Sequence, residues 1–211
     1  MKKWFRWCRA HKLAACYGLA LVLTVLGCLT VAGWDALGFA TGRLHTVQLP
    51  LSGLQAQDIL CTDAGVWVTV GDDPQLLVQA QGQPVRNIVW QTSAPAAPAE
   101  AYYAKDGADY SLRRRVYAGT EKSGALVFSF PLSGGSTVRL DPAAGAGVIL
   151  AESGADACLT VNARLPLWRY FCLRGEQWCA LAVLPAVAAA LWDQAAFWLA
   201  ACRGARRRGR A

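Results

Sequence analysis

Two long apolar stretches lie near the ends of the chain, and a block of basic residues flanks each of them on its outer side. Each stretch is long enough to cross the roughly 30 Å hydrocarbon core of a bilayer as a helix. Because Lys and Arg are retained on the cytoplasmic side, the pattern predicts two spans with both termini in the cytoplasm. We therefore expect a bacterial cytoplasmic membrane protein with basic tails at 1–12 and 203–211, transmembrane helices at 13–34 and 178–202, and an extracytoplasmic domain at 43–166.

Each span leaves one question open. The first has the layout of a secretory signal with a cleavage site after Ala40, but its apolar core is longer than the ~7 to 15 residues of a signal, which favours an uncleaved anchor. The second carries Asp193. An acid at mid-membrane is costly, so this residue either lies near the inner headgroups or faces a partner helix or polar pocket.

Short alternating runs separated by turn residues fill the region between the spans. In four of these runs every second position carries an apolar residue, or in one case a threonine. The positions are Val66, Val68 and Val70; Ile88, Trp90 and Thr92; Leu126, Phe128 and Phe130; and Val138 and Leu140. This period places one face of each strand against an opposing sheet and the other in water. The pattern predicts a mainly β domain, an antiparallel β-sandwich of jelly-roll-like form, between two transmembrane helices.

The charge distribution narrows the classes of partner. The formal net charge is +7, and the two tails hold ten of the 21 Lys and Arg residues without any acid. The rest of the chain is therefore net acidic. Basic residues that flank apolar helices suit anionic lipid headgroups, so we expect the lipid bilayer as a partner and no nucleic acid.

Eight cysteines occur, and two of them fall near opposite ends of the predicted β domain. Cys61 and Cys158 could form a bridge in an oxidising compartment or remain free thiols, because pairing does not follow from sequence. There is no CxxC motif and no Cys/His cluster with metal-ligand spacing, so neither a metal nor a cofactor is expected.

Catalytic motifs are also missing from the sequence. His45 is the one histidine outside the N-terminal tail, and no GxSxG nucleophile motif, phosphate loop or dinucleotide fingerprint is present. Most carboxylates fall in predicted turns, where Asp caps backbone amides. A pair of them could still supply a glycosidase, since such chemistry needs only two acids at the right separation. We predict no catalytic residues.

Aromatic residues on the predicted strands are the best candidates for ligand binding. In each adjacent or alternating pair of these aromatic residues, at least one ring must face outward. The residues on or beside strands are Trp67, Tyr102, Tyr103, Tyr110 and Tyr117, of which Trp67, Tyr102 and Tyr103 are the predicted ligand-binding residues. Flat aromatic faces stack on sugar rings, although outward rings more often cover a neighbouring strand. The run Arg113 to Arg115 is interpreted as a charged guard of an edge strand, with binding of an acidic polymer or headgroup as the alternative.

The succession GDDPQLLVQ, VRNIVWQT, AYYAKDGADYS, VFSFPL and VRLDPAAGAGVIL resembles an extracellular jelly-roll-like module. That module follows the first transmembrane helix of multi-spanning bacterial membrane proteins, some of them glycosyltransferases, of cell-surface polysaccharide assembly. The resemblance spans residues 60–159, and its recurring positions are Asp73, Pro74, Gln75, Tyr103, Arg139, Asp141 and Pro142. It adds Arg139 and Asp141, a same-face pair, to the candidate ligand-binding residues. Because the relatives continue into further helices that hold the transferase site, no transferase activity is implied.

Three functions are compatible with these features. The first is a non-catalytic surface module that contacts envelope glycans or an integral membrane protein in polysaccharide assembly. The second is a membrane scaffold that docks only onto protein, which should expose a contiguous apolar patch. The third is a glycan-processing enzyme, which should bring two carboxylates into one cleft.

Overall fold

The computed structural model describes residues 11–80, 82–92, 99–104, 110–120, 124–132, 135–152 and 158–208. The chain divides into two compact units, Met1–Gly33 with Pro166–Ala211 and Trp34–Leu165. Helix α1 (Lys12–Ala40) continues past the predicted span, so that its last turns belong to the second unit. Helix α2 (Gly175–Arg208) follows a short 3-10 helix at Leu167–Phe171.

The first unit contains the two apolar helical segments. Both helices are long and apolar enough to cross a membrane by length and composition. Lys12 forms an ion pair with Asp193, and the Tyr17 hydroxyl donates a hydrogen bond to the carbonyl of Ala182. As the chain advances along α1 its partners move back along α2, so these segments are antiparallel. The Asp193 carboxylate thus has a basic partner from the other helix.

The second unit consists of short antiparallel strands. Its described part contains thirteen of them, which are β1 (Val47–Pro50), β2 (Gln55–Gln57), β3 (Ile59–Cys61), β4 (Trp67–Thr69), β5 (Gln75–Gln79), β6 (Asn87–Trp90), β7 (Glu100–Ala104), β8 (Arg115–Tyr117), β9 (Gly119–Thr120), β10 (Leu126–Ser129), β11 (Thr137–Asp141), β12 (Ile149–Ala151) and β13 (Cys158–Val161). The prediction of a mainly antiparallel β domain is confirmed, whereas its jelly-roll form stays a prediction.

The strands form three sheets that share one hydrophobic core. Sheet A has the order β1-β13-β6-β10-β9, sheet B the order β2-β5-β11-β7-β8, and sheet C the order β12-β4-β3. The core draws on all three sheets, and its largest fully buried side chains include Trp90 and Phe128 from sheet A, Leu76 and Leu140 from sheet B, and Leu150 from sheet C. The first and last strands, β1 and β13, are neighbours.

Three of the four alternating runs face the core as predicted, and the fourth does not. The residues on the predicted inward faces that are completely buried include Ile88, Phe128 and Leu140. Thr69 on β4, however, is buried, and Val70 directly after this strand is exposed, so the predicted inward face of Val66, Val68 and Val70 is wrong. The Thr69 hydroxyl donates to the Gly145 carbonyl and accepts from the Val148 amide. These bonds satisfy the polar group, which removes the cost of burying it.

A buried ion pair joins the last turns of α1 to sheet A. The Asp35 carboxylate accepts a hydrogen bond of 2.6 Å from Arg86 Nε, and both side chains are 5% exposed. Arg86 Nη1 also donates to the Phe130 carbonyl at 2.9 Å. Arg86 directly precedes β6 and Phe130 directly follows β10, so the guanidinium lies at one end of two paired strands.

Asn162 extends this buried network to β13. Its side-chain oxygen accepts from the Arg86 amide at 2.7 Å, and its Nδ2 donates to Gln83 Oε1 and to the Pro84 carbonyl. Asn162 has φ 54°, a left-handed conformation that Asn tolerates better than most residues. The side chain therefore stabilises the backbone between sheet A strands in a way that an apolar residue cannot.

Removal of the Asp35 carboxylate should destabilise the domain strongly. We expect Asp35→Ala to lower the free energy of unfolding by about 3 to 5 kcal/mol, because it leaves the Arg86 charge buried without its partner. Asp63→Ala, at an exposed position, is the control and should change it by less than about 0.5 kcal/mol. Urea unfolding of the full chain in detergent micelles, followed by circular dichroism, measures both. Equal effects of the two substitutions would contradict a structural role for the pair.

Candidate functional site

The outward face of sheet B carries a compact group of charged and aromatic side chains. On β11, Val138 and Leu140 point into the core, so Arg139 between them points outward. The same alternation operates on β7 and β8. Strand register places Arg139 opposite Tyr102 and Asp141 opposite Glu100, with Arg115 and Tyr117 next in line on the edge strand β8. We call this group the sheet B face, and its members are Glu100, Tyr102, Arg115, Tyr117, Arg139 and Asp141.

Ion pairs and hydrogen bonds connect these side chains. Arg139 Nη2 donates to Asp141 Oδ2 at 2.9 Å. The Tyr102 hydroxyl donates to Glu100 Oε2 at 2.6 Å, and Arg115 Nη1 lies 3.4 Å from both oxygens of the same carboxylate. Each acid is thus held by a base, and the face carries little net charge.

Aromatic rings support the two guanidinium groups. Arg139 Cζ lies 4.5 Å from the centroid of the Tyr102 ring and 5.7 Å from that of Tyr110. Arg115 Cζ lies 4.7 Å from the centroid of Tyr117. Cation–π contacts of this kind fix the orientation of a guanidinium while its outer N–H groups stay available to a ligand. Tyr117 is 54% exposed, so much of its ring remains accessible.

Burial changes the acid–base properties of two groups on this face. Desolvation raises the pKa of the Asp141 carboxyl above its ordinary value of 3.8, although the hydrogen bond and charge of Arg139 oppose the change and the charges of Asp73 and Glu100 reinforce it. Desolvation, with the hydrogen bond to Glu100, also raises the pKa of Tyr102. Both groups therefore favour their neutral forms more than they would in water.

Two polar atoms of the face have hydrogen-bonding capacity left. Within the described part of the chain, Arg139 Nε and Asp141 Oδ1 are buried and have no hydrogen-bond partner. One is a donor and the other an acceptor, but neither atom reaches the surface, so a ligand would contact only the 26% and 18% of the Arg139 and Asp141 side chains that stay exposed.

The structure brings together three of the five sequence-predicted ligand-binding residues. Tyr102, Arg139 and Asp141 lie on the sheet B face. Tyr103 points the other way, packs against the core and makes an edge-to-face contact with Phe130 at 5.9 Å between centroids. Trp67 lies in sheet C and also packs against the core. These two residues therefore lie apart from the sheet B face.

The sequence indicated Tyr117 as one of several candidate aromatic residues, but it did not place Glu100 or Arg115 at this site. Period-two alternation could have placed Glu100 beside Tyr102, but only the register of β7 with β11 and β8 shows that the three strands are neighbours. The basic run Arg113 to Arg115 is divided between two elements. Arg113 and Arg114 lie in a 3-10 helix at Leu112–Arg114, and Arg115 begins the edge strand.

The two cysteines of the β domain are free thiols in the structure. Cys61 is exposed on β3 of sheet C, and Cys158 is partly buried on β13 of sheet A. A bridge between them stays a prediction. In the described ranges, no group of three His, Cys, Asp or Glu side chains is arranged to hold a metal ion.

Sheet C presents a second surface of different character. Register places Leu60 and Ile149 on either side of Val68, which aligns three apolar residues across the sheet. Leu60 and Ile149 are exposed, as is Val70, which directly follows β4. We call these four residues the sheet C row.

The structure defines the class of this protein as a mainly antiparallel β domain with two flanking apolar helices. No protein-family model and no curated protein matches the chain. One solved structure that it matches is described as a low affinity xylan binding module, CBM86, from the xylanolytic gut symbiont Roseburia intestinalis. The match has 14% sequence identity and a TM-score of 0.32, and it covers 56% of this chain and 91% of that one. A likeness at this level indicates neither a shared ligand nor a shared function.

The raised pKa of Asp141 predicts a specific dependence of stability on pH. The folded state binds the proton of the Asp141 carboxyl more tightly than the unfolded state does. The stabilising contribution of the protonated carboxyl to the free energy of unfolding is therefore fully present below pH 3.8 and is lost as the pH rises through the folded pKa. Asp141→Asn cannot ionise. We therefore expect the free energy of unfolding of this variant, relative to wild type, to increase from pH 3 towards pH 7.

Urea unfolding of the full chain in micelles at a series of pH values measures this difference. Asp63→Asn, at an exposed position, controls for the loss of one negative charge. A variant that instead loses stability relative to wild type as the pH rises would mean that the ion pair with Arg139 outweighs desolvation.

Proposed function

We propose that this chain is a non-catalytic, membrane-anchored module whose extracytoplasmic β-sandwich of jelly-roll-like form contacts envelope glycans through the sheet B face. The bilayer holds it through two helices with both termini in the cytoplasm. Its resemblance to the extracellular module of polysaccharide-assembly proteins suggests the same setting, in the bacterial cytoplasmic membrane.

The observation that carries this proposal is the composition of the sheet B face. Tyr117 offers an accessible ring, and Arg115, Arg139 and Asp141 offer donors and acceptors in register beside it. Sugars need this combination, because their C–H faces pack on aromatic rings while their hydroxyls need hydrogen-bond partners. An open sheet surface with one accessible ring would bind weakly, since association costs consume most of the gain.

The arrangement of carboxylates favours binding over catalysis. Glu100 and Asp141 occupy paired positions on adjacent strands, which is the feature an enzyme of the glycosidase type would need. Each, however, is held by an arginine, and Glu100 also accepts a hydrogen bond from the Tyr102 hydroxyl. A general acid must be free to give its proton to the leaving group. These contacts support a non-catalytic role for both acids.

Replacement of the accessible ring should weaken glycan binding. We expect Tyr117→Ala to reduce affinity for a bound envelope polysaccharide by about tenfold, the upper end of what one aromatic contact contributes. Screening the full chain in nanodiscs on a glycan array and then titrating by calorimetry measures this. Leu60→Ala, on the sheet C row, is the matched control and should bind as wild type does.

Two results would contradict the glycan proposal. Complete absence of binding across the array, with co-purification of an integral membrane protein, would favour a scaffold. Turnover of any glycan that disappears in Asp141→Asn or Glu100→Gln would instead show an enzyme.

The sheet C row favours a second candidate function, a membrane scaffold that docks onto protein. Its aligned apolar side chains form the kind of surface that a protein partner covers. In that case Leu60→Ala would reduce co-purification of the partner, and Tyr117→Ala would not.

Reporter fusions test the membrane arrangement itself. Alkaline phosphatase folds only outside the cytoplasm, so a fusion after Gly82 should be active and one after Arg210 inactive. Activity of the C-terminal fusion would show that the second apolar stretch does not cross the membrane.

A further inference from the structure

The β domain begins without a spacer where the first apolar span ends. Trp34–Ala40 continue α1 and already belong to the domain unit, because Asp35 is paired with Arg86 and Gly38 contacts Leu44. Leu44 is buried, and its amide donates to the Gly38 carbonyl at 3.0 Å. The chain therefore leaves the helix and enters the domain in one tight turn.

Two exposed arginines flank this turn, and each lies over an aromatic ring of α1. Arg43 Cζ is 4.8 Å from the centroid of Trp34, and Arg164 Cζ is 5.3 Å from that of Phe39. Within the described part of the chain neither arginine has a carboxylate within 4.0 Å. Their guanidinium groups are thus fixed by the rings, with their outer N–H groups directed to no acid of the described chain.

The chemistry of this turn matches the border of a bilayer. Aromatic rings at the end of an apolar helix occupy the headgroup region, and exposed Leu37 lies one helical turn from Trp34 on the same helix. A guanidinium binds phosphate with two parallel N–H donors. The same pairing recurs before α2, where Arg169 Cζ lies 4.8 Å from the exposed ring of Trp168.

We infer that Arg43 and Arg164 form a binding surface for the phosphate of phospholipid headgroups in the outer leaflet. The occupant is lipid because the helix that carries Trp34 and Phe39 is one of the two that we propose to cross the membrane. The contact brings the turn after α1 to the level of the headgroups. This inference rests on the proposed membrane anchoring and is independent of glycan binding.

Headgroup crosslinking of the full chain tests this surface. The protein is reconstituted into liposomes of phosphatidylglycerol and phosphatidylcholine with a small fraction of phosphatidylethanolamine that carries a benzophenone on its headgroup amine. After irradiation, digestion with a protease that does not cut at arginine and peptide mass spectrometry locate the crosslinks. Those at the two basic tails serve as an internal standard for reconstitution.

We expect wild-type crosslinks in residues 41–46 and 162–166. The double variant that combines Arg43→Ala with Arg164→Ala should reduce the yield of these crosslinks about fivefold for each arginine, relative to the yield at the tails. Arg113→Ala with Arg114→Ala removes the same charge from a different part of the domain and should leave them unchanged. Arg43→Lys with Arg164→Lys should restore at least half of the yield, because lysine keeps the charge.

Four results would overturn the inference. The first is the absence of wild-type crosslinks at the turn while the tails react, and the second is an unchanged crosslink yield in the double alanine variant. The third is an equal loss of yield in the control that replaces Arg113 and Arg114. The fourth is that the double lysine variant does not recover the yield. Thermal unfolding of each variant, followed by circular dichroism, separates loss of lipid contact from loss of fold. Glycan titration and the reporter fusions report separately on the proposed function, so its failure is distinguishable from failure here.

Discussion

The ion pair between Asp35 and Arg86 is the constraint on which the arrangement of the domain depends. A carboxylate and a guanidinium are almost fully buried together, and either one alone would be strongly unfavourable there. Because Asp35 is in the last turns of α1 and Arg86 directly precedes β6, the pair holds the helix end against sheet A. The bond from Arg86 to the Phe130 carbonyl and the bonds of Asn162 extend this constraint to β10 and β13.

The candidate binding surface follows from the core on the other side of the same strands. Val138, Leu140 and Ala101 are fully buried, and strand geometry then turns their neighbours Arg139, Asp141 and Tyr102 to the outer face. The register of β7 with β11 and β8 aligns them with Glu100, Arg115 and Tyr117. The site therefore requires no specialised loop, and it forms when the sheet forms.

The second unit presents three surfaces of different chemistry. The sheet B face combines ion pairs with tyrosine rings, the sheet C row is apolar, and the turn after α1 carries two arginines over aromatic rings. These differences suggest different partners, because hydroxyl-rich ligands need donors and acceptors, proteins cover apolar rows, and lipid phosphates need fixed cations. A module that touches membrane and glycan at once needs such a division.

Sequence alone determined the features that depend on local pattern. Two apolar stretches predicted two helices that are long and apolar enough to span a membrane, and period-two alternation identified the core faces of β6, β10 and β11. It also placed Tyr102 and Tyr103 on opposite faces without deciding which one pointed outward. Alternation failed at β4, because burial of Thr69 depends on the distant Gly145 carbonyl and Val148 amide.

Tertiary structure decided everything that depends on which distant segments meet. In the sequence Asp35 is the first acid after the apolar run, and only the fold pairs it with Arg86. Likewise, Glu100 and Arg115 joined Arg139 and Asp141 only through the order of strands in sheet B. Periodicity reports the direction of a side chain relative to its own strand or helix, whereas a site or a buried ion pair depends on contacts between segments far apart in sequence.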